Sequence, residues 1–211
     1  MEGSSQADSQ NENLAWEILE SQIRECYGRI VYTHKVHEKN ADIYLGNLRR
    51  AKFIQIILSA ITTGGILGVL FSDGSTILAV IAAITATTQF FLNTYVKEYS
   101  LSGMAERHAS TASKLWAIRE SYLSLLSDVV SHQITLENAR NIRDKLQKDL
   151  GSVYEKAPRT IVRAYRDTQK ALKLNEELTF SDEEIDLFLP NPLRKLNRSV
   201  REIKNKDGRM K

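Results

Sequence analysis

FIQIILSAITTGGILGVLFSDGSTILAVIAAITATTQFFLNTYV, residues 53–96, contains one charged side chain, Asp73, near its middle. On either side lie uncharged runs, Phe53 to Ser72 and Gly74 to Val96. At 1.5 Å rise per residue, about 20 apolar residues cross the roughly 30 Å hydrocarbon core of a bilayer, and each run is long enough. The link Ser72-Asp73-Gly74-Ser75 has turn chemistry and is too short for anything but a reversal. The stretch therefore predicts a transmembrane hairpin with helices at about 53–72 and 75–96. A buried hairpin of a soluble bundle fits less well, because core helices seldom run two such stretches without a charge.

Outward from the hairpin, charge sets the orientation. Lys35, Lys39, Arg49, Arg50 and Lys52 precede the first run, Lys97, Arg107 and Lys114 follow the second, and the turn has neither Lys nor Arg. The positive-inside rule puts both termini in the cytoplasm, as for a multi-pass protein of the inner (plasma) membrane. The segment 1–13 reads as a disordered polar tail without the apolar core of a secretory signal. Cys26 is the single cysteine, which suits a reducing compartment and excludes an intrachain disulfide. Averages hide the hairpin: 26% charged and 42% hydrophobic residues would suit a soluble domain. A net charge of +3 over 211 residues is too mild to argue for nucleic acid, and no direct nucleic-acid binding is expected.

The spans carry two kinds of stripe. At 100° per residue, Gln55, Ser59, Thr62 and Thr63 share one arc of the first, and Thr85, Thr88, Gln89 and Asn93 one arc of the second. Small residues take other faces: Ala60, Gly64 and Gly68 in the first span, Ala79, Ala83 and Ala86 in the second. Small residues are the usual packing seam in lipid. If the two seams pack together within one subunit, the polar stripes point away from that contact. Polar side chains facing acyl chains are costly, so such a hairpin is expected to form a homo-oligomer with its stripes turned onto water or onto each other. Gln55, Ser59, Thr62, Thr85, Thr88, Gln89 and Asn93 are thus candidate pore-lining residues, with polar glue between helices as the other reading.

The flanks are periodic as well. Leu19, Ile23, Cys26, Ile30, His37, Ala41, Tyr44, Leu48 and Ala51 recur at helical spacing upstream, as do Leu101, Met104, His108, Ala112, Leu115, Tyr122, Leu125 and Val129 downstream. Joined through a tight hairpin, these runs predict an all-α fold: two transmembrane helices continuous with a long antiparallel, coiled-coil-like cytoplasmic stalk. Asn13 is a candidate N-cap for the first run. Thr135 can cap a helix carrying Leu136, Ala139, Leu146 and Leu150, and Pro158 can open another with Ile161, Val162 and Tyr165. Ser181-Asp182-Glu183-Glu184 makes a capping box for a short helix ending near Pro190, before a basic tail. The chain thus divides into a tail (1–13), a main domain (14–175) and a C-terminal segment (176–211).

Enzyme chemistry is not evident, and neither catalysis, a cofactor nor a metal is expected. Gly64-Gly65 and Gly68 lack the Lys-Ser/Thr of a phosphate loop. His34 and His37, at i and i+3, fit a helical core stripe better than a metal site, and His108 reads the same way.

Cys26-Tyr27-Gly28-Arg29 with Tyr32, His34 and Lys35 precedes the hairpin, and His108 with Lys114-Leu115-Trp116-Ala117-Ile118-Arg119-Glu120, Tyr122, Leu125 and Leu126 follows it. In this order of features the chain resembles the SLATT family, the SMODS- and SLOG-associating two-transmembrane effector domains, over roughly residues 14–175. It looks closest to a subgroup found beside reverse transcriptases. The resemblance implies a membrane effector of prokaryotic antiviral conflict systems that answers a separate sensor, nucleotide-signalling or linked to a reverse transcriptase, and whose output is a pore. Counting away from the membrane, His34 precedes Phe53 by nearly the same distance in sequence as Trp116 follows Val96, so antiparallel pairing puts them level. Tyr27, Arg29, His34, Trp116, Arg119 and Glu120 are candidates for one polar-aromatic stalk contact. A membrane-anchored scaffold that recruits a cytoplasmic partner remains the alternative to a pore.

Overall fold

The structure, a computed structural model, describes residues 2–71, 75–175 and 177–178, with side chains from Gln10 onward. Among the described residues every regular element is helical: α1 (Glu2–Phe71), α2 (Thr76–Glu98), α3 (Leu101–Val130), α4 (Leu136–Lys156) and α5 (Val162–Lys173). α1 is the spine. α2 packs along its apolar end, α3 returns along its polar part, and α4 doubles back along α3. The hairpin reversal at residues 72–74, the capping box at Ser181 and the basic tail lie outside the described residues.

α1 runs unbroken for 70 residues, roughly 105 Å. It begins at Glu2, so Asn13 sits inside the helix rather than capping it, and the expected tail at 1–13 is drawn into α1. One seven-residue count runs along it. Ile23, Ile30, His37, Tyr44, Ala51, Leu58 and Gly65 recur every seven residues, and each is buried or half-buried. The seam that meets α3 in the stalk therefore continues into the apolar hairpin and meets α2 there.

The descending side is different. α2 ends at Glu98, and Ser100 adopts a left-handed conformation (φ 42°, ψ 49°) before α3 starts at Leu101. Continuity of stalk and span thus holds for α1 but is interrupted between α2 and α3. The break is hydrogen-bonded: Tyr99 N–H donates to Tyr95 O, Ser100 N–H to Lys97 O and Met104 N–H to Ser100 O.

Far from the apolar hairpin, the core interleaves Leu19, Ile23, Cys26 and Ile30 of α1 with Leu115, Ile118, Tyr122, Leu125 and Val129 of α3, closed by Ala139 and Leu146 of α4. These positions match the helical stripes of the sequence. Each large side chain removed from water contributes about 1.5–3 kcal/mol. Thr135 caps α4, its Oγ1 accepting from the Asn138 N–H at 3.3 Å. α5 starts at Val162, after an extended link that carries Pro158. The chain divides into two compact units after Thr168, within α5, and the second has few described residues.

Candidate functional site

Close approach decides which side chains meet across the hairpin. A Cβ on Gly65 would lie 3.2 Å from Ala82 Cβ, and one on Gly68 would lie 2.8 Å from Leu78 Cδ1, so both glycines let α2 in. On Gly64 a Cβ would meet nothing within 4 Å. Of the expected seam, Gly68 lies against the partner helix of its own hairpin. Ala60, Gly64, Ala79, Ala83 and Ala86 are exposed in the single chain. The contact is made one residue further on, by Gly65 against Ala82. On a helix that one-residue difference is a 100° turn.

Much of the polar stripe consequently faces inward. Gln55 Nε2 donates to Asn93 Oδ1 at 2.7 Å, and the hydroxyls of Thr62 and Thr85 lie 2.8 Å apart. Thr62 also reaches Leu58 O at 2.8 Å, and Thr85 reaches Ile81 O at 3.0 Å. One hydroxyl thus donates across the hairpin while the other donates to its own helix. Gln89 is half-buried on the face of α2 that carries Thr85. Ser59 and Thr88 are exposed, with Thr88 donating to Ile84 O at 2.9 Å. The stripes do not both point away from the intrachain contact: four of the seven polar positions pair with one another across it.

Where the stalk begins, the packing between α1 and α3 becomes polar and tightly buried. His37 Nδ1 lies 2.9 Å from His108 Nδ1, and the His108 ring stacks on Tyr44 with centroids 5.6 Å apart at 17°. Burial holds His37 down to about 4, with His108 and His34 adding to the effect. Burial lowers His108 too. In the neutral pair one Nδ1 donates and the other accepts, whereas a proton on each ring sets two donors face to face. Asn40, fully buried, donates to Val36 O at 2.8 Å and accepts from the Ile161 N–H at 3.1 Å, tying the entry to α5 onto α1. Sequence reasoning missed Asn40, although it follows His37 by three on the same helical face.

On another side of the stalk His34 lies against Trp116, ring centroids 5.7 Å apart. The Arg119 guanidinium stacks over the Trp116 ring at 3.7 Å and bonds Glu120 at 2.6 Å. His34 Nε2 approaches Glu38 Oε1 at 3.6 Å. Burial lowers the His34 pKa, opposed by Glu38 and reinforced by Arg119 and Lys35. Four of the six proposed contact residues therefore sit together. Tyr27 packs instead on the apolar core, and the exposed Arg29 turns to Cys26 Sγ at 3.2 Å and Glu25 at 3.9 Å. His34 and His37 address different partners, as core histidines of a stripe do. His132, at the corner after α3, meets Trp16 edge-on with centroids 5.1 Å apart.

The family model described as SMODS and SLOG-associating 2TM effector domain family 4 covers residues 19–184, most of the chain. No curated protein and no solved structure matches. Two helices of the structure are long and apolar enough to cross a membrane.

Proposed function

Because the chain belongs to the SMODS and SLOG-associating 2TM effector domain family 4, we propose that it is an oligomeric, pore-forming membrane effector of a prokaryotic anti-phage or conflict system. In this reading it acts without catalysis, in the inner membrane, with both ends cytoplasmic. A separate sensor, nucleotide-signalling or linked to a reverse transcriptase, acts on its stalk.

The observation that carries the reading is the line of polar side chains along the hairpin contact. Gln55, Thr62, Thr85, Gln89 and Asn93 follow one another down a seam between two otherwise apolar helices. A plain anchor has no need of them. In the single chain Gln55 bonds Asn93 and Thr62 bonds Thr85 across the seam. When subunits assemble through the exposed small face around Ala60 and Gly64, the same side chains exchange intrachain partners for water or for neighbouring subunits. α1 supplies the coupling, since its seven-residue seam runs without interruption from the stalk core to Gly65.

A second reading is supported by the same contacts. Gln55–Asn93 and Thr62–Thr85 already pair within one chain, which is what polar glue in a membrane-anchored scaffold requires. Planar-bilayer conductance of the purified protein, measured beside its oligomer size, separates the two. A ring of leucines from Gln89→Leu makes a dewetting barrier in a pore and is expected to abolish current while leaving assembly intact. In a scaffold the substitution alters stability by only about 1 kcal/mol. Wild type that never conducts, or Gln89→Leu that conducts normally, replaces the pore with the scaffold.

A further inference from the structure

We propose that the groove between α3 and the C-terminal half of α4 binds a soluble, multiply charged phosphate compound. Arg107, Ser110, Thr111 and Lys114 line it from α3, and Ser152 and Lys156 from α4, around a volume of about 620 Å³. Small-molecule sites fall in the range of roughly 300–1,000 Å³. On α3 the spacing i, i+3, i+4, i+7 sets the four side chains on one face, and Ser152 and Lys156 are i, i+4 neighbours on α4. Among the described residues three cations thus converge against a single lining carboxylate, Glu106. None of Arg107, Lys114 and Lys156 forms an ion pair among the described residues. Uncompensated like charges around a concave surface raise the local concentration of anions, and charge-assisted hydrogen bonds from Arg, Lys and the Ser110 hydroxyl suit phosphate oxygens, while the Thr111 and Ser152 hydroxyls donate to Arg107 O at 2.9 Å and Asp149 O at 2.7 Å. The negative end of the α4 dipole opposes an anion here, and Lys156 in the last turn offsets it.

Depth separates the two sources of phosphate. By the helical rise, Arg107 and Lys114 lie roughly 16 and 27 Å beyond Val96 along the chain. The headgroup layer beyond the hydrocarbon is only about 5–8 Å thick. On the transmembrane reading of the hairpin, the cations therefore lie below the headgroups and face the aqueous phase. Among the described residues the lining has no aromatic ring on which a base could stack, which leaves the phosphates as the part recognised. A ligand held by both walls ties α4 to the part of α3 just beyond the break at Ser100.

The full-length chain in nanodiscs of phosphatidylcholine, titrated calorimetrically with pyrophosphate, tests this. Saturable binding that weakens with added salt is expected. The double variant Lys114→Gln, Lys156→Gln is expected to bind at least about tenfold more weakly. Lys148→Gln, exposed on α4 outside the groove, is expected to bind as wild type does. Apparent Tm without ligand is read for each protein, and Arg107→Gln replaces the double variant should that one unfold. In a second arm the nanodiscs contain phosphatidylglycerol. Displacement of pyrophosphate by that lipid assigns the groove to headgroups and overturns the proposal. No pyrophosphate binding in neutral nanodiscs, or an equal loss in Lys148→Gln, overturns it as well. These are binding measurements, and their outcome is independent of whether the protein conducts.

Discussion

Acid is expected to loosen the stalk just below the hairpin, through His37 and His108. Burial holds the folded His37 pKa near 4, against 6.5 for the free side chain. The folded state thus binds fewer protons than the unfolded one, and stability rises with pH. The full contribution is present above about pH 6.5 and is lost as pH falls toward 4. Its upper limit is about 3 kcal/mol, of which about 2 kcal/mol is gone by pH 5. His108 shifts in the same direction. Among the described residues the groups facing this pair are His34 and Tyr44, and none of them is a carboxylate that compensates the added charge. For a chain of this size a loss of about 2 kcal/mol lowers Tm by about 4–8 °C. Circular dichroism melts in detergent between pH 8 and pH 5 measure it, a window in which few surface carboxylates titrate. The double variant His37→Leu, His108→Leu replaces a buried polar pair with apolar side chains and is expected to fold. It should lose more than half of the pH slope, leaving the share due to His34. Equal slopes in wild type and variant would refute the argument.

Three other outcomes are expected. Gly65→Leu should splay the hairpin and lower its thermal stability, because even a Cβ there meets Ala82 at 3.2 Å, whereas Gly64→Leu should leave the monomer intact and weaken only assembly in detergent. The reverse ranking would mean that the hairpin contact is misassigned. Cysteines at His34 and Trp116, in a chain lacking Cys26, should cross-link under mild oxidation, and pairs offset by two turns should not; uniform cross-linking would mean that the stalk has no fixed register. An impermeant thiol reagent added outside the cell should modify a cysteine placed at Ser75 and spare one placed at Ser5, and labelling of Ser5 alone would invert the topology.

The stalk was legible because its rule is simple. A stripe such as Leu19, Ile23, Cys26 and Ile30 has to be covered, and the tight reversal leaves α3 to cover it. Counting outward from the two membrane boundaries placed His34 beside Trp116, a consequence of near-constant helical rise. The hairpin was read less well. Small residues mark where helices can approach, but Gly64, Gly65 and Gly68 offered more than one face, and a single residue of phase decides between them. The deciding signal lay outside the span: the seven-residue count from Ile23 arrives at Ala51, Leu58 and Gly65, not at Gly64. Tyr27 and Arg29 were grouped with His34 by nearness in sequence, yet they fall on other faces of α1. The α3–α4 groove could not be read at all, because Lys114 and Lys156 meet only once α4 has folded back.

The left-handed residue at Ser100 bears on how a chain of this design can change in length. An insertion in α1 rotates everything beyond it by about 100° per residue, so only additions of seven keep the stalk and the hairpin in phase together. The descending side escapes that constraint. A residue gained or lost beside Ser100 is absorbed where the helix is already broken, and the phase of α2 on α1 need not follow that of α3. Natural length variants are accordingly expected to cluster at this junction on one side of the hairpin and to come in whole heptads on the other.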